Sequence, residues 1–277
     1  MSCAVSGGAD SLALLALARA ARLDVTAIHV DHGLRPGSHQ EADAVARAAD
    51  DVGAAFVSHR VLVEPGPNLE ARAREARYAV LPEDVSTGHT ADDRAETVII
   101  NLLRGAGLDG LAGMRRLGGP TGRILHPLLD IRRSETIEVC SRLGWTPFED
   151  PTNADRSLLR NRIRLDLLPS MNDAAGRDLV PILVRQADLL ADEADVLDDL
   201  SAQIDPTDAR ALARAPTAVA RRAVRRWLED VHPPDSATVE RVLAVARGDA
   251  IACEMPGGIR ISRTNQRMSM TPPEIHD

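Results

Sequence analysis

Lysine is missing from this chain: all 33 basic residues counted under Lys+Arg are arginines. A Walker-type phosphate-binding lysine, a Schiff-base lysine and a covalent lysyl-adenylate are therefore excluded. Phosphate and carboxylate groups must be met by guanidinium, backbone N–H or metal. Genomic base composition is a sufficient cause of the Arg and Ala richness. Aromatic residues are scarce at 2%, so a core has to be built from Leu, Val, Ile and Ala, for which a hydrophobic fraction of 44% is ample. Cys3, Cys140 and Cys253 are odd in number and far apart, which leaves neither a disulfide framework nor a CxxC metal or redox site. No apolar run reaches the length of a membrane span, and no basic region precedes the N-terminal apolar residues, so a cytoplasmic chain without membrane contact is expected.

What is present is organised. The 277 residues suit one large domain and a smaller one. The net charge of −8 argues against a generally basic nucleic-acid binder, but charge is segregated along the chain. Eight acids and no base lie between Asp188 and Asp208; four arginines lie between Arg156 and Arg164 and six between Arg210 and Arg226. Local basic patches on an acidic protein fit a limited polyanion contact, although solvated helix faces would look similar.

Ser6-Gly7-Gly8-Ala9-Asp10-Ser11 lies between the apolar run Cys3-Ala4-Val5 and an amphipathic stretch from Leu12 to Leu23. A strand that turns through two glycines into a helix presents a row of orphan N–H groups at a positive helix end, which is an anion site. Ser6 and Ser11 add hydroxyls. Asp10 would repel a phosphate unless a cation stands between them, so the stretch reads as a pyrophosphate cradle with a magnesium-bridging acid. The plainer alternative is a Gly-Gly turn that merely starts a helix. The hexapeptide resembles the PP-loop of the N-type ATP pyrophosphatases, which cleave ATP between its α and β phosphates.

The first half alternates strand-like runs (Val25–Val30, Phe56–Val63, Asp84–Thr87) with helical patterns (Gln40–Val52, and Leu69–Leu81 capped by Asn68). This predicts an α/β fold with a doubly wound, mainly parallel sheet. Only five residues precede Ser6 and the Tyr78–Gly88 interval is short, so a minimal first strand and a trimmed helix are expected. Thr90, with Asp93 three residues on, caps a helix reaching about Leu103. Leu125-His-Pro-Leu-Leu reads as a buried connector, Arg132–Leu143 as a helix ended by Gly144, and Leu158–Leu168 as a short basic helix. Pro169–Gly176 is the best linker candidate, followed by a long helix from about 177 to 202. Two further helices near 217–230 and 236–246 and a hairpin around Pro256-Gly257-Gly258 complete a smaller, mostly helical domain. The predicted boundaries are 1–172 for a nucleotide-binding domain and 173–277 for the accessory one.

In a doubly wound sheet, ligands sit at the C-terminal strand ends, where Ser6–Ser11, His29–His32 and His89–Asp93 should converge on one nucleotide. His29, taken alone, reads as a packed core histidine. Asp93 and Glu96 are three apart on one helix face and form a small acidic pocket for a magnesium ion or an amine, although first-turn acids are also common for dipole reasons alone. Arg104-Gly-Ala-Gly-Leu-Asp-Gly110 is either a C-cap and turn or a flexible nucleotide surface. Glu149–Asn153 followed by Arg160-Asn161-Arg162-Ile163-Arg164 offers a fork of donors matched to phosphates, with a solvated face as the plain reading.

Taken in order, SGGADS, Ala27–Arg35, Asn68–Tyr78, Gly88–Met114, Pro127–Arg133 and Glu149–Pro169 resemble the tRNA(Ile)-lysidine synthase family over about residues 3–170. The resemblance implies a ligase that uses ATP and Mg²⁺ to adenylate C2 of the wobble cytidine of tRNA(Ile) with a CAU anticodon, releasing pyrophosphate. Free L-lysine then attacks C2 and expels AMP. Carried over by position, Ser6, Gly7, Gly8, Ala9, Asp10 and Ser11, with His29 and His32, would bind the nucleotide, and Asp10 the metal. Asp10, Asp93, Arg160 and Arg162 would be catalytic, and Asp93, Glu96, Arg104 and Arg164 would hold substrate. A homodimer is left open. The competing readings are a tRNA 2-thiocytidine synthetase-like PP-loop enzyme, which needs paired cysteines, and an ATP-binding module without catalysis.

Overall fold

The computed structural model describes residues 1–31, 33, 39–62, 66, 69–119, 122–229 and 234–272. It divides into two compact units, 1–191 and 192–277. Among the described residues the first unit carries a six-stranded sheet in the order β3-β2-β1-β4-β6-β5. These strands are β1 (Ser2–Ala4), β2 (Thr26–Asp31), β3 (Ala55–Arg60), β4 (Ser86–Thr87), β5 (Leu117–Gly118) and β6 (Ile124–Leu125). All neighbours are parallel except the edge pair β5–β6. The expected α/β class is present. The Leu125 connector is itself the strand β6, which extends the sheet beyond β4 with an antiparallel partner at the edge.

The crossovers are α1 (Ala9–Ala20), α2 (His39–Asp51) and α3 (Leu69–Val80); α4 (Ala91–Leu103) follows β4. Helix α1 buries Ser11 to Ala16 and Ala18, more than one face, because it is packed against the sheet, α2 and a later helix at once. Its core partners include Cys3, Val5, Val25, Val45, Ala49 and Cys140. The Gly-rich stretch after α4 resolves as cap and turn: Gly105 adopts φ +72, Asn101 Nδ2 donates to Gly110 O at 2.7 Å, and a short helix α5 (Leu108–Leu111) follows. Helix α6 (Arg133–Arg142) packs on α1 through Thr136 and Cys140 and stops at Leu143, before Gly144 at φ +69. The proposed cap at Asn68 lies outside the described residues.

Beyond α6 the chain forms a 3-10 turn at Pro151–Ala154, α7 (Leu159–Arg162), a π-helical turn (Ile163–Leu167) and α8 (Leu168–Ala175). Pro169 follows Leu168 at the end of the π-helical turn, which runs into α8 in unbroken αR conformation with Leu168 N bonded to Ile163 O, so the stretch read as a linker is helical up to Gly176. Ile163 and Leu168 bury against Ala91, Ala95 and Ile99 of α4 and Val180 of α9 (Val180–Ala202). The second unit, described by itself, packs α10 (Ala209–Arg214), α11 (Thr217–Glu229) and α12 (Ser236–Arg247) with an antiparallel sheet of β7 (Ala252–Glu254), β8 (Arg260–Thr264) and β9 (Arg267–Thr271). Its core centres on Leu212, Val224, Leu228, Leu243 and Ile261. The expected hairpin around 256–258 joins β7 to β8, whereas α10 and the third strand have no counterpart among the elements expected from sequence. Among the described residues no helix is long and apolar enough to cross a membrane.

Candidate active site

The order of strands changes direction at β1, whose neighbours are β2 on one side and β4 on the other. A crevice therefore opens at the C-terminal ends of β1 and β4, and the Ser6–Ser11 loop fills it. Gly7 turns the chain at φ +90, and Gly8 caps α1 in an extended conformation. The first bond inside α1 runs from Leu12 N to Gly8 O, which leaves the N–H groups of residues 8–11 without helical acceptors. Ser11 Oγ donates to Gly8 O at 2.9 Å and accepts from Ser6 N at 3.1 Å, curling the loop around its own hydroxyls. Phe148 N donates to Gly7 O at 2.9 Å, so the segment before the 3-10 turn closes over the loop. Gly88, which starts the β4–α4 connection, lies so close to α1 that a Cβ there would stand 2.6 Å from Asp10 O.

Helix α4 begins with the expected capping box: Thr90 N and Oγ1 both donate to Asp93 Oδ2 at 2.9 Å. The i,i+3 spacing puts Glu96 on the same face, where its side chain is 1% exposed. The residue that joins this pair to the loop is not among the site residues expected from sequence. Arg133, the first residue of α6, reaches Asp10 Oδ2 at 3.2 Å, Asp93 Oδ1 at 2.8 Å and Glu96 Oε1 at 3.3 Å. Arg160 Nε donates to Glu96 Oε2 at 3.1 Å, and Arg164 Nε to Glu96 Oε1 at 2.6 Å. Three carboxylates thus face three guanidinium groups, and the cluster is electroneutral. Burial and the neighbouring acid raise the pKa of Asp10 despite Arg133 and Thr136. For Asp93 burial also acts upward, but Arg133 and the Thr90 N–H outweigh it and hold the carboxyl at about 2. Burial lowers the Arg133 pKa, and Asp93, Asp10 and Glu96 together more than reverse that.

Beside the cluster lies a cavity of about 960 Å³ lined by Ser6, Gly8, Asp10, Ser11, His89, Asp93, Arg133 and Arg164, among others. A second cavity of about 400 Å³ shares Ser6, Gly8, His89, Phe148, Asp150 and Asn153 with it and continues to Val5, Ile28, His29, Val30 and Arg77. His29 is 2% exposed and its Nδ1 meets Val5 O at 2.9 Å, so it is at once packed and cavity-lining. His32 lies outside the described residues. The predicted residues separate by position. Asp10, Asp93, Glu96, Arg160 and Arg164 converge. Arg162 is exposed beside a surface groove formed with Leu103, Leu159 and Leu167, and Arg104 is exposed at the far end of α4. Asn161, between the arginines, is buried and ties the 3-10 turn to α7 by donating to Thr152 O at 2.7 Å and Asp155 O at 2.8 Å.

Among the described residues no three His, Cys, Asp or Glu side chains gather as a ready metal cage. Mg²⁺ asks for less, since it keeps several waters and binds one or two carboxylates together with substrate phosphates. Asp10, at the rim of the cradle, fits that donor set, with Thr136 Oγ1 and Arg133 each engaging one of its oxygens. Arg133 stands 123 residues from Asp10, so no local pattern could pair them. The available signal was an Arg doublet at the start of a helix, after Pro127-Leu-Leu.

Sheet order, cradle and convergent charges define a PP-loop ATP-binding domain, and the PP-loop domain family matches residues 1–171. The TilS substrate binding domain matches residues 208–266. The tRNA(Ile)-lysidine synthase of Nocardia farcinica is 44% identical over 240 residues, covering 82% of this chain and 74% of that one. That of Mycobacterium tuberculosis is 42% identical over 246 residues, covering 82% and 74%. The chain belongs to the tRNA(Ile)-lysidine synthase family. Among solved structures, the U34-tRNA thiolase NcsA from Methanococcus maripaludis, described with its 4Fe-4S cluster, matches at a TM-score of 0.54 and 18% identity, covering 69% of this chain and 72% of that one. That likeness concerns the fold.

Proposed function

We propose that this protein ligates free L-lysine to C2 of the wobble cytidine of tRNA(Ile) bearing a CAU anticodon, by way of an adenylated cytidine. The observation that carries the reading is the convergence, beside the phosphate cradle, of Asp10 with the Asp93–Glu96 pair through Arg133. In this reading the N–H groups of residues 8–11 and the Ser6 and Ser11 hydroxyls hold the β and γ phosphates as the C2 oxygen attacks the α phosphate. Mg²⁺, when bound at Asp10, supplies charge neutralisation for the departing pyrophosphate. Adenylation makes the C2 oxygen a good leaving group for the amine that follows.

Asp93 and Glu96 form the negative end of the lysine pocket. Arg133 and Arg164 line the cavity and cover these acids. Both guanidinium groups meet Asp93 Oδ1, so turning the two of them toward phosphate oxygens uncovers Asp93 for the ε-ammonium, while Arg160 keeps Glu96 in place. Arg104 and Arg162, exposed and apart from the cluster, suit RNA phosphates better than reacting atoms. The residue set speaks against thiolation: Cys3 and Cys140 are buried, with thiols pushed up to about 11, and Cys253 belongs to the other unit. A cytoplasmic location follows from the proposed tRNA substrate.

The test is pyrophosphate release from ATP with and without lysine and minor tRNA(Ile). Release stimulated by that tRNA, and AMP release that requires lysine, is the expected result. ATP binding without stimulation by either would leave only a nucleotide-binding module. Sulfur incorporation without lysine dependence would establish the thiolase alternative.

A further inference from the structure

Asp92 stands beside Asp93 in the first turn of α4, where an acid reads as compensation of the helix dipole. Its hydrogen bonds run elsewhere, to the two residues that start α6. Asp92 Oδ2 accepts from Arg133 N at 2.8 Å and from Arg132 Nε at 3.1 Å, and Asp92 Oδ1 accepts from Arg132 Nη2 at 3.1 Å. The backbone returns the connection, since Ala91 N donates to Ile131 O at 2.9 Å. Arg132 also pairs with Asp178, whose Oδ1 accepts from Val180 N at 3.0 Å where α9 begins.

The first N–H groups of a helix have no acceptor within it. At the start of α6, Arg132 N is met locally by Glu135 Oε2 at 2.7 Å, whereas Arg133 N is met from another helix by Asp92. That bond holds Arg133 at its main chain, and its side chain then reaches Asp93 Oδ1 at 2.8 Å, Asp10 Oδ2 at 3.2 Å and Glu96 Oε1 at 3.3 Å. A shift of α6 by about 1 Å would carry the two longer bonds out of hydrogen-bond range. Thr136, one turn on, donates to Asp10 Oδ1 and would move with them. The two adjacent acids thus divide one arginine between them: Asp93 takes its guanidinium and Asp92 its backbone.

We propose that Asp92 is a positioning residue: by accepting the Arg133 N–H, with the Arg132 guanidinium holding its carboxylate in place, it sets Arg133 between the cradle acid Asp10 and the Asp93–Glu96 pair. Its effect on lysine use rests on the function proposed above; the placement of Arg133 does not. In the full-length protein labelled with ¹⁵N-arginine, the Arg133 side chain is identified by the signals missing from the Arg133→Gln variant. Its guanidinium should give separate, slowly exchanging signals, because three carboxylates oppose its rotation. The Asp92→Asn variant can keep its carbonyl oxygen where Oδ2 stands, which takes Arg133 N and Arg132 Nε, and should preserve those signals and lysine use. The Asp92→Ala variant should average the signals and lower kcat/KM for lysine in AMP release about tenfold, the worth of one hydrogen bond to a charged group. Arg133 signals unchanged in the Ala variant, or lysine use unchanged once they are averaged, overturns the proposal. Equal loss in the Asn and Ala variants ties the effect to charge rather than to the N–H bond and overturns it too. Should the Ala variant fail to fold, deuterium exchange of the wild-type protein decides: the Arg133 amide should be protected although it opens a helix, and fast exchange overturns the proposal. A wild-type protein without lysine-dependent AMP release refutes the proposed function, while the arginine signals still decide the placement.

Discussion

Single residues carry the sharpest consequences. Glu96 is 1% exposed and meets three guanidinium groups, so a neutral amide there leaves buried positive charge without its partner. The Glu96→Gln variant should lose about 3 kcal/mol of stability, read from urea unfolding, in addition to any loss in lysine use. Gly88 is constrained by space rather than by its backbone angles: a Cβ would stand 2.6 Å from Asp10 O and 2.9 Å from Ser11 N. Those atoms are backbone and cannot turn aside. The Gly88→Ala variant should therefore push α4 and the cradle apart and abolish ATP binding by calorimetry while the chain stays folded by circular dichroism. Unimpaired ATP affinity would show that the cradle does not depend on this contact. His89 gives a pH dependence with a definite sign. Its pKa falls from 6.5 to about 4 on folding, so the unfolded chain takes up the proton first and stability is lost as pH drops from 6.5 toward 4. Between pH 7 and pH 5 the loss is roughly 2 kcal/mol, and a His89→Gln variant should flatten that slope.

At the scale of elements, what could be read from sequence was what is local. Ser6–Ser11 declared itself because a strand, two glycines and a helix are contiguous, and Thr90, Asp93 and Glu96 because a capping box and an i,i+3 pair lie within one turn. The parallel class followed from alternating periods. Four features did not follow. Strand β6 is two residues long, too short for any period to show, and its value comes from the neighbour it acquires in β4. The presumed linker at Pro169 is helical because Leu168 finds a buried place against α4, which no composition rule foresees. Arg133 acts only once tertiary contacts place it beside a residue 123 positions away. Asn161 illustrates the same limit: the sequence displays the arginines around it, whereas its buried amide holds the turn that carries Asp150 and Asn153 into both cavities. Replacing Asn161 by Leu strands two carbonyl oxygens and should loosen that turn. Faster proteolytic cleavage within 150–157, with ATP affinity reduced, is the expected outcome; unchanged cleavage would confine Asn161 to the packing of α7.

At the scale of the whole molecule, a chain of net charge −8 is proposed to bind a polyanion. The distribution of arginine decides how. In the catalytic unit Arg94, Arg132, Arg133 and Arg164 are spent on carboxylates, and in the second unit Arg221, Arg222 and Arg267 pair with Glu240, Asp198 and Asp205. Helix α10 is different. Arg210 and Arg214 are both exposed there, one turn apart, on a short helix inside the segment that matches the TilS substrate binding domain. A few such contacts on an acidic body imply a shallow dependence of tRNA affinity on salt, because each neutralised phosphate releases less than one counterion. Removing one contact should therefore show clearly. An Arg214→Gln variant should weaken binding of minor tRNA(Ile) and of unrelated tRNAs by a similar factor and reduce the slope of log K against log salt by about one. An unchanged slope would move the RNA contact off α10, and a loss confined to tRNA(Ile) would mean that Arg214 reads the anticodon loop rather than the backbone.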